Sequence, residues 1–269
     1  MRIAVIGGTG VYDPDLLEDR QEHEVVTPYG TVLVTAGRYR GKEVAFLPRH
    51  GAGHTVPPHL INYRANLWAL KMLGVKSVIA TSAVGSLNRE MKPGDLALLD
   101  QFLDFTKGRP VTFYEGGPAG VVHVDYTEPY CPELRKAISA AADEAGLAVH
   151  PKACYVCTEG PRYETPAEIK AFGILGGDLV GMTSVPEVVL AREAEMCYAS
   201  IALVTNWAAG LAGCTLTHQE VVELMNANLA RLRRLLAETI ERLSEERDCA
   251  CHHAVHSQTP LGPAKEAKE

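Results

Sequence analysis

Residues 77–86 read Ser-Val-Ile-Ala-Thr-Ser-Ala-Val-Gly-Ser. Ser77–Thr81 is the kind of apolar run that fills the middle of a buried strand, and it passes directly into Ser82, Ala83, Val84, Gly85 and Ser86. Ligands on α/β sheets sit at the carboxyl ends of strands. Three other segments have the same form. Ile3–Ile6 ends in Gly7-Gly8-Thr9-Gly10, Glu43–Leu47 leads into Pro48-Arg49-His50-Gly51, and the short run from Leu179 leads into Gly181-Met182-Thr183-Ser184. Together the four ends offer hydroxyls, bare backbone N–H groups, one Arg and one His. A small oxyanion such as phosphate needs that set: a fixed charge, short charge-assisted bonds and close backbone approach. Each piece alone has a plainer reading. The glycine run lacks the third glycine of a dinucleotide fingerprint and the lysine of a P-loop, so it also reads as a tight turn. A lone Arg49 reads equally as a surface ion pair, and Ser82 or Ser86 as a cap.

Outward from these segments, strands alternate with helices. Thr31–Thr35 is a further strand. Leu60–Leu73 has helical spacing and stops at Gly74, and Leu96–Leu99 follows the Lys92-Pro93-Gly94-Asp95 turn. Glu133–Ala145 reads as a helix, Ala153–Thr158 as a strand, and Pro166–Gly173 as a helix capped by Thr165. Pro186–Tyr198 reads as helical, Ser200–Asn206 as a strand, and Thr217–Arg247 as one long amphipathic helix. No linker or repeat interrupts this order. The expected fold is α/β: a single domain over residues 1–247 with a mixed central sheet flanked by helices. Residues 248–269 are expected to form a disordered tail.

Composition narrows the function. The chain has 269 residues, 46% hydrophobic and 22% charged, with a formal charge of −7. Disorder is excluded by that hydrophobicity. No apolar run approaches the roughly 20 residues of a membrane span. An acidic chain argues against a nucleic-acid partner. The N-terminal apolar run stops at Gly7, too soon for a signal peptide, so the expected location is cytoplasmic. Seven cysteines, an odd number, read as reduced core thiols rather than a disulfide framework. Cys154 and Cys157 have metal-ligand spacing but lie in a strand, on opposite faces, and are read as core. Cys249-Ala250-Cys251-His252-His253 is open to metal binding or a strained disulfide, and is read as an incidental part of the tail.

The motifs Ile-Gly-Gly-Thr-Gly (6–10), Arg-His-Gly followed by His54 (49–54), Asn-Tyr-Arg-Ala-Asn-Leu-Trp-Ala-Leu (62–70), Thr-Ser-Ala-Val-Gly-Ser-Leu (81–87), Lys-Pro-Gly-Asp-Leu (92–96), Glu-Gly-Pro-Arg-Tyr-Glu-Thr (159–165), the run from Met182 to Asn206 and the terminal helix resemble the methylthioadenosine phosphorylase and trimeric purine nucleoside phosphorylase family. That resemblance implies phosphate held by Thr9, Arg49, His50, Ser82, the Ala83 backbone and Thr183. It implies a purine against Tyr163 and a ribose over Met182. It places His123 in a neighbouring subunit's site, hence a homotrimer or a dimer of trimers. No metal and no cofactor are implied; inorganic phosphate is a co-substrate, His50 and Asn206 are the expected catalytic residues, and the partners are small molecules.

The sequence departs from the methylthioadenosine branch at the base. That branch carries Thr-Asp-x-Asp where this chain has Thr205-Asn206-Trp207-Ala208. An ionised Asp only accepts, which suits a 6-amino group; Asn206 both donates and accepts, and Ala208 removes a second acceptor. Glu164 stands where that branch usually has Ser, and a carboxylate accepts from the N1–H of a 6-oxopurine. Glu164 as a helix-start acid and Asn206 as a loop cap are the plainer alternatives. His218 matches the nucleoside branch and suits a 5′-hydroxyl, although Thr217 and Glu220 also fit a capping box around it. The expected activity is phosphorolysis of inosine and guanosine. The alternative is 5′-methylthioinosine or methylthioadenosine, with a non-catalytic nucleoside-binding module further behind.

Overall fold

The computed structural model describes residues 2–8, 11, 17–51, 53, 55–211, 218–244 and 249–255. In chain order the elements are β1 (Ile3–Gly7), β2 (Glu18–Thr27), β3 (Gly30–Tyr39), β4 (Lys42–Pro48), α1 (Tyr63–Met72), β5 (Ser77–Ser86), β6 (Leu96–Leu98) and β7 (Gln101–Phe105). There follow α2 (Pro132–Glu144), β8 (Val149–His150), β9 (Cys154–Thr158), α3 (Pro166–Ile174), β10 (Leu179–Gly181), α4 (Ser184–Glu193), β11 (Cys197–Trp207) and α5 (His218–Arg242). The strands form one mixed sheet, as expected for an α/β domain.

Side-chain alternation along the central strands builds two cores at once. In β1, Ala4 and Ile6 face one side while Ile3 and Val5 face the other. In β11, Tyr198, Ala202 and Val204 join the first core, and Cys197, Ala199, Ile201 and Leu203 the second. Helix α1 contributes Leu67 and Leu70, and α4 contributes Val188 and Leu190, to the first. Helix α2 supplies Leu134 and Ile138, and α5 supplies Leu232, Leu236 and Ile240, to the second.

Strand β5 is where the sheet divides. Over Ser77–Ala80 it lies between β1 and β11, parallel to both. At Gly85 and Ser86 it still pairs with β11, but its other neighbour is now the antiparallel β10. Between these pairings, Thr81–Val84 has a strand partner on one side only. The carboxyl ends of β1, β4, β5 and β11 converge beside that opening, because these strands run parallel.

Several boundaries differ from the sequence reading for local reasons. Helix α1 starts at Tyr63 rather than Leu60, because the Asn62 side chain accepts from the Ala65 N–H and caps it there; Leu60 is exposed. Helix α4 ends at Glu193, and Glu195 adopts a φ of +60°, so Cys197 and Tyr198 belong to β11. Strand β2 was not anticipated: Glu18–Glu24 is polar and mostly exposed, as suits a sheet edge, and carries no apolar alternation. The capping box at Thr165 is present, with Thr165 accepting from Glu168 N–H and Glu168 accepting from Thr165 N–H. The tail expectation is corrected for Cys249–Val255. Cys249 and Cys251 are buried in the second core against Cys131 and Cys197, since thiols are apolar enough to be drawn inside. Residues 256–269 lie outside the described residues.

The Tyr155 side chain leaves no room for a Cβ at position 181: one there would strike the Tyr155 hydroxyl and lie 2.9 Å from its ring. Gly181→Ala should therefore cost about 1–3 kcal/mol through overpacking. Denaturant titration reads this as a lower midpoint, and an unchanged midpoint would mean that the ring moves aside freely.

Candidate active site

The opening beside β5 is the floor of a cavity of about 850 Å³. Its lining includes Gly8, Arg49, His50, Ser82, Ala83, Thr183, Tyr163, Glu164, Met182, Asn206 and Ala208. These come from six separate strand ends, and the fold brings them to one place. Thr9 and the side chain of His218 lie outside the described residues, as does His54. His123 stands exposed on the irregular segment between β7 and α2 and is not among the residues lining this cleft.

Arg49 is buried at the end of β4, and its guanidinium makes a two-pronged ion pair with Glu187 of α4, Nε to Oε2 at 2.7 Å and Nη2 to Oε1 at 2.8 Å. Nη1 donates to the Thr81 carbonyl at 2.9 Å, on the half-paired stretch of β5. Tyr198 donates its hydroxyl to Glu187 Oε1 at 2.7 Å. Burial alone would lower the Arg49 pKa, but the charge and hydrogen bonds of Glu187 outweigh it and raise it. The guanidinium thus stays charged with its fork held rigid, and two of its five N–H groups are not used by these bonds. Beside it, the buried Ser82 and Thr81 hydroxyls have no hydrogen-bond partner among the described residues. His50 holds Nδ1 2.8 Å from the Val56 carbonyl, which turns the other ring nitrogen away from that loop. Thr183 is placed by its own N–H, which donates to the Tyr155 hydroxyl at 3.1 Å.

The other end of the cleft is built differently. Glu164 is buried and accepts from the Thr158 hydroxyl at 2.7 Å. Burial raises its pKa above the ordinary carboxylate value, with the Thr158 bond opposing the shift. Asn206 follows a β-bulge: β11 slips register between Val204 and Asn206 against β5. Its Oδ1 accepts from the Thr205 hydroxyl at 2.8 Å, and its Nδ2 donates to the Trp207 carbonyl at 2.9 Å. One N–H and one lone pair of the amide remain. A Cβ at Gly85 would lie 3.0 Å from Nδ2, so glycine there gives the amide its room. Tyr163 is partly exposed at the rim. Met182 packs over Gly160, where φ is +65° and a Cβ would strike the thioether. Along the far wall, Val221, Val222 and Met225 of α5 face the cleft with Val56 and Pro57.

Two organising residues had not been anticipated from the sequence. Glu187 sits in Val-Pro-Glu-Val-Val-Leu, and a carboxylate inside so apolar a run was the available signal that it has a buried partner. Arg109 is buried and ties two loops together: it donates to the carbonyls of Met182 and Val185 at 2.7 Å each, and to those of Thr158 at 3.2 Å and Glu159 at 2.7 Å. It lies on an irregular segment with no motif around it, so nothing local marked it.

Removing one partner of a buried ion pair leaves the other charge without compensation. Glu187→Ala should destabilise the fold by about 3–5 kcal/mol. Arg49→Met added to it should recover part of that loss in a double-mutant cycle. Additive losses would show that the two side chains are not coupled.

Comparison with known proteins agrees with this architecture. The sequence pattern of the Phosphorylase superfamily matches residues 2–241. The 6-oxopurine nucleoside phosphorylase of Pyrococcus furiosus is 57% identical over 263 residues, covering 96% of this chain and 99% of that protein. A Methanopyrus kandleri protein named "Probable S-methyl-5'-thioinosine phosphorylase" is 54% identical, covering 94% and 97%. Among solved structures, a methylthioadenosine phosphorylase from an antarctic soil metagenomic library superposes with a TM-score of 0.89 at 36% identity, covering 96% of this chain and 93% of that one. Sequence and fold together place the chain in the phosphorylase superfamily.

Proposed function

We propose that the cleft carries out phosphate-dependent cleavage of 6-oxopurine nucleosides, releasing the free base and ribose 1-phosphate. The observation that carries this reading is the pairing, in one cleft, of a buried acceptor-only Glu164 with a bulge-placed Asn206 amide, beside a charged Arg49 and a Ser82 hydroxyl that has no partner among the described residues. Arg49, His50, Ser82, the Ala83 backbone, Thr183 and Thr9 would hold phosphate. A phosphate oxygen attacks C1′ as the C1′–N9 bond breaks. Positive charge grows on the sugar next to the anion, and negative charge grows on the base. Groups already fixed where those charges appear supply the stabilisation. Asn206 would hold a proton at N7 through Oδ1 and face O6 through its remaining N–H. Glu164 would accept from N1–H. Tyr163 would cover the base and Met182 the ribose, with Ala208 leaving no second acceptor for an amino group. The exposed His123 would serve a neighbouring subunit's cleft in a trimer or dimer of trimers. No helix among the described residues is long and apolar enough to cross a membrane.

A second reading, 5′-methylthioinosine as substrate, is favoured by the apolar wall of Val221, Val222 and Met225. It shares the base pocket and differs only at the 5′ end.

Inosine with phosphate should release hypoxanthine, with no release when phosphate is omitted. Two mismatched buried polar contacts, at about 1–3 kcal/mol each, should disfavour adenosine by roughly 10²–10⁴-fold in kcat/KM. Preference for methylthioadenosine would overturn the base assignment, and comparing methylthioinosine with inosine decides the 5′ end. Asn206→Asp should move the inosine-to-adenosine ratio toward adenosine by about tenfold or more; uniform loss on both substrates would point to a structural role instead.

The pH dependence follows from Glu164. Its carboxylate accepts N1–H only while ionised, and its pKa is raised by burial. Hypoxanthine affinity should therefore be full above that pKa and fall as pH drops through it, at a pH above the ordinary Glu value of about 4.3. In Glu164→Gln this limb should vanish. A limb that persists in the variant would assign it to another group.

A further inference from the structure

Cysteines from three distant parts of the chain, Cys131, Cys197 and the neighbouring pair Cys249 and Cys251, meet in the second core. Cys131 sits at the N-cap of α2 and Cys197 opens β11, both with no exposed surface. Cys249 and Cys251 flank Ala250 at a short 3₁₀ turn and are 7% and 2% exposed. Their four Sγ atoms all lie within 4.8 Å of one another. Cys131 and Cys249 are 3.7 Å apart. A tetrahedral ion with zinc–sulfur bonds of about 2.3 Å has sulfur–sulfur edges of about 3.8 Å. The four sulfurs thus surround a point from which such bonds are reached by movements of about 1 Å or less.

The surroundings favour thiolates. Cys131 Sγ receives the Leu134 N–H at 3.4 Å, at a helix N-terminus, where a negative sulfur is stabilised. His252 brings Nε2 to 3.5 Å from Cys197 Sγ, in the place where metal thiolates commonly receive an outer hydrogen bond. Several buried thiolates repel one another unless a cation sits among them. All four positions would be filled by protein, so the site has no room for a substrate or water and its role is structural. None of the four lines the cleft. Cys197 stands at the opposite end of β11 from Asn206, roughly 30 Å away at about 3.3 Å per residue.

We propose that Cys131, Cys197, Cys249 and Cys251 bind one zinc-class dication as a closed tetrathiolate that staples the segment after α5 to the sheet. The four thiols give up their protons to solvent as the ion binds, and no electron transfer is involved. The expectation of no metal is thereby replaced for this part of the molecule.

The test uses the full chain, purified in reductant without chelator. Elemental analysis should find about one zinc per chain. Exchange into cobalt(II) should give the visible and charge-transfer absorption of a tetrahedral thiolate centre. Chelation should lower the thermal midpoint of this protein, and zinc should restore it. The double variant Cys249→Ser with Cys251→Ser should drop metal content to background, and chelator should not shift its midpoint further. Should that variant not fold, the metal content and cobalt spectrum of the unaltered chain decide by themselves. Protein that stays metal-free after incubation with zinc overturns the proposal. So does a parallel preparation made without reductant in which these four cysteines resist alkylation under denaturing conditions until reduced, since they would then be paired as disulfides.

Discussion

The Arg49–Glu187 pair is the constraint around which the rest of the site is arranged. Burying a guanidinium this deeply is costly unless a carboxylate is in contact with it, and Glu187, which has no exposed surface, supplies that carboxylate. The pair joins the end of β4 to the first turn of α4, and the Tyr198 hydroxyl of β11 and the Thr81 carbonyl of β5 bond to it as well. Four elements are therefore locked in relative position by one set of charge-assisted bonds. The charge that could attract an anion is fixed before any anion arrives, which is the condition for electrostatic preorganisation.

The second constraint is geometric. Strand β5 changes neighbours along its length, and the change leaves a stretch of strand with one side unpaired in the middle of a large sheet. Polar groups there have no strand to satisfy them, so they face a cleft instead. The bulge in β11 then shifts Asn206 out of the regular register, and the glycine opposite leaves space for its amide. The groups proposed to hold an anion and those proposed to read a base end up at two parts of one cavity because β5 and β11 run side by side through both.

Much of this was legible from residues alone. The strands that end in Gly, Ser or Thr were visible because buried parallel strands are continuous apolar runs, and those runs stop abruptly at the cleft. The Thr165 cap and the apolar stripe of α5 were visible because they depend on neighbours within a few residues. Strand β2 was hidden because an exposed edge needs no apolar pattern. Glu187 and Arg109 were hidden because their partners lie on other elements, 138 residues away for Glu187 and Arg49. Cys249 and Cys251 looked incidental because their neighbours, Cys131 and Cys197, come from distant parts of the chain.

By itself, then, the order of residues determined the α/β class, the strand ends that carry polar groups, and the substitution of Asn206 and Glu164 for the residues of the methylthioadenosine branch. These are properties of short segments, and short segments carry their own hydrophobic periodicity and hydrogen-bonding capacity. Only the tertiary structure decided which charge neutralises Arg49, how the β5 opening and the β11 bulge aim the amide, and that four thiols converge on one point. Those outcomes depend on which distant segments pack together, and packing is set by the whole buried surface rather than by any window of sequence.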